Sequence, residues 1–171
     1  MTSYYIHPLQ AEHALNILGW RYPAPYDFYD PPDDPHSDRY VREFMRPEWQ
    51  FHVILDRENR MAGFCSFGPD GQVEGGDYSQ PALDIGLGMK PNLTGQGLGK
   101  DFFTAILVYA NTRFEVDCFR LTVANFNERA MSLYKKLGFR PVSEFTDTRN
   151  GVKYTILTGA FSDSVEKSFV S

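Results

Sequence analysis

Cysteine is nearly absent: Cys65 and Cys118 are the only two in 171 residues, too few for a disulfide framework. Their scarcity points to a reducing, cytoplasmic setting, with Cys65 in a strand-like run as a buried small hydrophobe. Histidine is also scarce. His7, His13, His36 and His52 are scattered, and none forms a metal-ligand spacing with Cys or carboxylates, so no metal is expected. No apolar run approaches the length of a membrane span, and the start Met1-Thr2-Ser3-Tyr4-Tyr5 lacks a signal-peptide pattern; no membrane association is expected. Lys and Arg form no cluster, and the net charge is −5, which argues against nucleic acid as a partner and favours cationic ones. There is no internal repeat and no low-complexity tract.

What remains suits one soluble domain over residues 1–160, followed by a polar tail at 161–171, with 42% hydrophobic residues. A short strand is predicted at 4–8, helices at 11–18 and 37–45, and strands at 51–56 and 61–67 around the polar turn Arg57-Glu58-Asn59-Arg60. A strand at 83–89 leads to a helix over 97–113, in which Leu98, Phe102, Ala105, Ile106 and Tyr109 form the core-facing stripe. A strand at 120–124 precedes a helix over 128–137, stopped by Gly138. Asn150-Gly151 predicts a hairpin between strands at 142–148 and 152–158. Strands interleaved with helices, plus a terminal hairpin, define an α/β domain with a mixed sheet.

The most informative stretch runs from Leu83 to Phe103: a strand, a glycine-rich turn and an amphipathic helix. Backbone N–H groups crowded at a helix start make a place for an anion. A Walker loop needs four residues between its first glycine and Gly-Lys, then Ser or Thr. Here only Gln96, Gly97 and Leu98 separate Gly95 from Gly99-Lys100, and Asp101 stands at the hydroxyl position, where it repels a phosphate. A dinucleotide fingerprint needs a glycine where Lys100 stands. ATP and NAD are therefore disfavoured, and a magnesium-free pyrophosphate remains. In the strand, period-two geometry places Asp84, Gly86 and Gly88 on one face and Ile85, Leu87 and Met89 on the other. Strand glycines mark a bulge or a close ligand approach, so this face reads as a groove with an acid in its wall; the plain alternative is a buried strand that tolerates them.

This segment resembles motif A of the GNAT family, the acetyl-CoA-dependent N-acetyltransferases, in which a splayed, bulged strand precedes a [Gln/Arg]-x-x-Gly-x-[Gly/Ala] turn. The turn here is Thr94-Gly95-Gln96-Gly97-Leu98-Gly99, with Thr94 departing from the pattern. Downstream, Asn127-x-x-Ala130-x-x-x-Tyr134-x-x-x-Gly138-Phe139 resembles motif B of the same family. The resemblance covers residues 50–158 well. It implies a GNAT fold: a mixed, largely antiparallel sheet of about six or seven strands with a splayed, bulged central strand, flanked by about four helices. It also implies acetyl-CoA as cosubstrate and acetyl transfer to a primary amine, small or on a protein, by a monomer or homodimer.

Site expectations follow from the same resemblance. Leu87, Gly88 and Met89 contact the acetyl and pantetheine groups, with backbone N–H dipoles aimed where charge develops. Thr94, Gly95, Gln96, Gly97, Leu98, Gly99 and Lys100 hold the pyrophosphate, and Asn127 and Ala130 add contacts, although Asn127 is also a favoured helix N-cap. Tyr134 is the candidate general acid for the leaving thiolate; otherwise it is a core tyrosine with a satisfied hydroxyl. Asp84 is the candidate general base, with Glu74, Asp77 or water as alternatives. The aromatic connection after Trp20, with Tyr26, Asp27 and Tyr29, is the expected acceptor wall, suited to a cationic amine. Neither cysteine lies in a motif, so direct transfer in a ternary complex is expected. A non-catalytic acyl-CoA sensor of the same fold is the alternative.

Overall fold

The computed structural model describes residues 2–34 and 36–161, so the tail from 162 onward lies outside the described residues. Strands β1 (Tyr5–Pro8), β2 (His52–Leu55), β3 (Met61–Phe67), β4 (Leu83–Met89), β5 (Cys118–Ala124), β6 (Arg140–Thr146) and β7 (Lys153–Ala160) form one sheet in the order β1-β2-β3-β4-β5-β7-β6. Only the β4–β5 pairing is parallel. The helices are α1 (Ala11–Leu18), α2 (Ser37–Phe44), α3 (Gly99–Phe114) and α4 (Glu128–Lys136). The expected mixed, mostly antiparallel sheet with four helices is thus the observed one.

Two apolar clusters cover its two faces. On one, Ile85 of β4 and Phe119, Leu121 and Val123 of β5 pack with Phe102, Phe103 and Ile106 of α3. Full burial of such side chains contributes about 1.5–3 kcal/mol each. On the other, Ala14 and Ile17 of α1 join Leu9, Trp20 and Val53, with Phe44 of α2 and Phe64 of β3 against them. The α3 helix is buried more widely than its predicted stripe, for Phe103, Thr104 and Leu107 are buried too. The reason is a second cover: the Phe103 ring lies 4.8 Å from that of Tyr134 and 5.6 Å from that of Phe139. A single stripe describes a helix lying on one surface, and α3 is wedged between two.

Two local details differ from expectation. The Asn150-Gly151 turn is wider than a two-residue hairpin, because Gly151 N–H bonds back to the Asp147 carbonyl and Asp147 N–H bonds to Val152. The buried Asp147 carboxylate organises it, accepting from the Arg149 backbone and guanidinium. The second detail concerns β4: its register with β3 runs unbroken from Phe67↔Ile85 to Gly63↔Met89, with no bulge. What opens the strand is its other neighbour. β5 pairs with β4 only at Leu83↔Phe119 and Asp84↔Arg120 and then parts from it, while staying paired with β7 along its whole length.

Candidate active site

The parting of β4 from β5 exposes a defined set of backbone groups. Asp84 C=O accepts from Gly68 N–H, and Lys90 N–H donates to Ala62, which turns the even-numbered residues of β4 toward β3. Antiparallel alternation then turns the N–H and C=O groups of Leu87 and Met89 into the gap on the β5 side. The Met89 carbonyl already uses this direction, accepting from the Tyr22 hydroxyl at 2.7 Å.

The turn after β4 presents further donors. Thr94 N–H bonds to Pro91, and Phe102 N–H bonds to Leu98. Among the described residues, the N–H groups of 95–101 between them find no backbone acceptor. Gly95 and Gly97 both take left-handed conformations, φ 73° and 77°, which lets the chain fold N–H groups toward one point. The Thr94 hydroxyl donates back to the Pro91 carbonyl at 2.8 Å and serves the turn. Near Gly95 the sequence reading missed a cation: a Cβ at that glycine would stand 3.1 Å from a guanidinium nitrogen of Arg129, the second residue of α4.

At the start of α4, Asn127 Oδ1 accepts from Ala130 N–H, the expected N-cap, while its amide donates to the Tyr29 hydroxyl at 3.2 Å. Tyr134 is buried, and burial, then the neighbouring Tyr29, push its pKa well above the ordinary phenol value.

Asp84 stands where expected in β4, but the geometry commits its carboxylate elsewhere. Arg120 Nε donates to Oδ1 at 2.7 Å and Nη2 to Oδ2 at 2.6 Å, while Gln72 Nε2 donates to Oδ2 at 2.9 Å. Both side chains are 4% exposed. Hydrogen bonding to this carboxylate holds the Arg120 guanidinium even further above its ordinary value. The pair sits where β4 and β5 part. Of the alternatives, Glu74 pairs with Arg149 at 3.1 Å on the surface, and Asp77 has its pKa held down by the Ser79 hydroxyl and then by the Ser79 N–H.

The face groove also differs from expectation. The space above Gly86 and Gly88 is filled by protein: a Cβ at Gly88 would strike the Phe64 ring, and one at Gly86 would strike Ser66 Oγ and lie 3.1 Å from Asp70 Oδ2. Ser66 Oγ donates to Asp70 Oδ2 at 2.7 Å. Burial of this oxygen raises the Asp70 pKa, and the Ser66 bond partly offsets the rise. Sequence alone gave no signal for it; Gly86 faces Ser66 across the β3–β4 ladder only in the observed register.

The aromatic connection docks as a strap. Tyr26–Tyr29 forms a 3-10 turn whose rings gather around Phe126, with centroids 5.3 Å away for Phe28 and 5.8 Å for Tyr29. The Tyr26 face is already covered by Arg129, 4.0 Å from its centroid, and Asp27 is exposed. Tyr22 at Met89 and Tyr29 at Asn127 thus tie one loop to both sides of the gap.

A seven-stranded sheet parted beside a glycine turn, with a capped helix and a buried tyrosine across the gap, defines an acyltransferase-type α/β domain. The model of the acetyltransferase (GNAT) family matches residues 13–139, and the chain belongs to that family. An acetyltransferase of the GNAT family from Bacillus anthracis is structurally similar, with TM-score 0.71 at 13% identity, covering 94% of this chain and 98% of that one. A mutant form of the spermidine/spermine N-acetyltransferase SpeG from Vibrio cholerae superposes with TM-score 0.66 at 16% identity, over 97% of this chain and 99% of that one. These likenesses speak to the fold. An N-acetyltransferase 9-like protein of Nematostella vectensis is 34% identical over 55 residues, a match spanning 32% of this chain and 28% of that protein. Among the described residues no helix is long and apolar enough to cross a membrane.

Proposed function

We propose that this chain transfers the acetyl group of acetyl-CoA to a primary amine on a small cationic molecule, directly and in a ternary complex. The observation that carries the reading is the parting of β4 from β5 at Asp84, followed at once by the unpaired N–H groups of 95–101. The residues present suit the cosubstrate. Gly95 through Lys100 receive the pyrophosphate on backbone donors at the start of α3. Leu87 and Met89 receive the pantetheine and acetyl carbonyl along the open side of β4, as an added strand would be received. Acetyl-CoA supplies an activated thioester. Leu87 N–H stabilises the oxyanion that develops on the attacked carbonyl. Tyr134 gives its proton to the departing sulfur, and Asn127 orients the chain of the cosubstrate beside it. Asp84 stays out of the proton path and fixes, with Arg120, where the gap begins.

An amine of cationic type is favoured by the net charge of −5. The acetylation of spermidine and spermine by a structurally similar enzyme makes polyamines the first acceptors to try. The test is twofold. Thermal shift against acetyl-CoA, ATP and NAD should give stabilisation by acetyl-CoA; stabilisation by ATP alone overturns the reading. Thiol release with spermidine, small monoamines and a peptide N-terminus then reads turnover. CoA binding without turnover on any acceptor would favour the sensor.

A further inference from the structure

We propose that Asp70 is the general base of this site, taking the proton of the acceptor amine beside Gly86. The inference rests on the acetyl-transfer reading above and assigns the proton that Asp84 cannot take. Three observations carry it. First, the strand-borne carboxylate is spent on Arg120 and Gln72, while Asp70 forms no ion pair among the described residues. Second, Asp70 Oδ2 reaches over β4 into the space that a side chain at position 86 would fill, one residue from Leu87 in the strand. It lies on the face opposite α3: Ile85, Leu87 and Met89 turn to the α3 side, and Gly86, Ser66 and Phe64 to the other. On the acetyl-transfer reading, an amine that attacks from the side away from α3 approaches the face that Asp70 Oδ2 reaches. Third, the residue as a whole is exposed although Oδ2 is enclosed, so a proton collected inside has a way out to solvent.

The electrostatic surroundings suit the role. The 3-10 turn Pro69–Gly71 that carries Asp70 packs against β3, β4 and the turn Pro47–Trp49. From β3 the polar group facing it is Ser66, and from β4 the nearest charge is Asp84, neutralised by Arg120. From Pro47–Trp49 comes Glu48, itself paired with Arg46. No cation on these elements is bonded to Asp70, so the carboxylate is not held in its charged form by a partner. Desolvation is the leading influence and raises its pKa, in the direction that makes it a better base. The step balances. A first proton leaves the ammonium nitrogen for the Asp70 carboxylate, and the freed lone pair forms the N–C bond. The C–S bond then breaks, and the sulfur takes the Tyr134 proton. The nitrogen, left positive by the new bond, gives up its second proton, which returns through water to the Tyr134 oxygen, and Asp70 releases the first to solvent.

The test compares wild type, Asp70→Asn, Asp70→Glu and Ser66→Ala with two acceptors: spermidine, charged at neutral pH, and hydroxylamine, largely neutral there. Asp70→Asn should lower kcat/KM for spermidine by about 100-fold or more and remove the acidic limb of its pH profile, with far less effect on hydroxylamine. Asp70→Glu should recover part of the rate. Ser66→Ala removes a bond to the charged carboxylate and should move the acidic limb to higher pH. Equal loss with both acceptors, or an unchanged limb in Asp70→Asn, overturns the proposal. Absence of turnover in the wild type with either acceptor would instead sink the acetyl-transfer reading beneath it.

Discussion

Asp84 and Arg120 meet through two hydrogen bonds, 2.7 and 2.6 Å long, at the last rung joining β4 to β5. The pair is thus the hinge pin of the gap. Gln72 and the Gln80 carbonyl join it from the connection before β4, and the Tyr78 ring lies 5.0 Å from the guanidinium carbon.

Breaking this pair should therefore cost stability, not proton transfer. Asp84→Asn leaves a buried guanidinium short of its counter-charge, and the loss should be about 3–5 kcal/mol, read as a lower urea midpoint. The pH–rate profile of the folded fraction should keep its wild-type acidic limb. A variant that stays stable but loses that limb would return the base role to Asp84.

Tyr134→Phe removes one hydroxyl and leaves the ring against Phe103 and Phe139. Loss of a positioned acid should lower kcat by roughly 10²–10⁴-fold with little change in KM for acetyl-CoA. Steady-state kinetics with spermidine check it. The deficit should shrink with a thioester whose thiol is more acidic, since that leaving group needs less protonation.

Two glycine variants should fail in different ways. Gly97 has nothing within 4 Å of a would-be Cβ, yet φ is 77°. Gly97→Ala should cost about 1–2 kcal/mol of strain and raise KM for acetyl-CoA. Gly88→Ala drives a methyl into the Phe64 ring, so circular dichroism melting should drop before any kinetic constant is read.

Phe126→Ala removes the ring on which Tyr26, Phe28 and Tyr29 gather. The strap should loosen: limited chymotrypsin digestion should cut faster within 20–30, and KM for the amine should rise more than KM for acetyl-CoA. Unchanged digestion would detach the strap from the acceptor side.

His52 supplies a pH signature unrelated to catalysis. Burial, partly offset by the bond to the Gln50 carbonyl and reinforced by Arg113, lowers its pKa from the ordinary 6.5. The unfolded chain then binds a proton sooner than the folded one as pH falls. His52 thus contributes stability that is full above 6.5 and is lost as pH drops toward the folded value. Urea midpoints across this range should fall more steeply in wild type than in His52→Asn.

The fold was legible where one periodicity governed: β3 and α1 fall on their predicted residues, and the motif helices start and stop within two. The turn at 94–99 and the cap at Asn127 were legible because backbone conformation demands glycine and Asn there. The carboxylates were not. Arg120 alternates with Phe119, Leu121 and Val123 in β5 and reads as an ordinary strand residue; only the parallel register that sets it opposite Asp84 reveals its partner. Asp70 lies in a short turn with no periodicity, and its reach to Gly86 is a tertiary fact. Pairing across strands decided which acid is free.

The gap beside β4 is also an unprotected sheet edge. Leu87 and the Met89 N–H present backbone groups that β5 does not pair and that, on an outer strand, would invite a second chain to add itself. Here that edge faces inward, with β5 beyond it and Tyr22 bridging it at Met89. On the acetyl-transfer reading, the groups that elsewhere would be an aggregation hazard are the ones offered to an extended ligand.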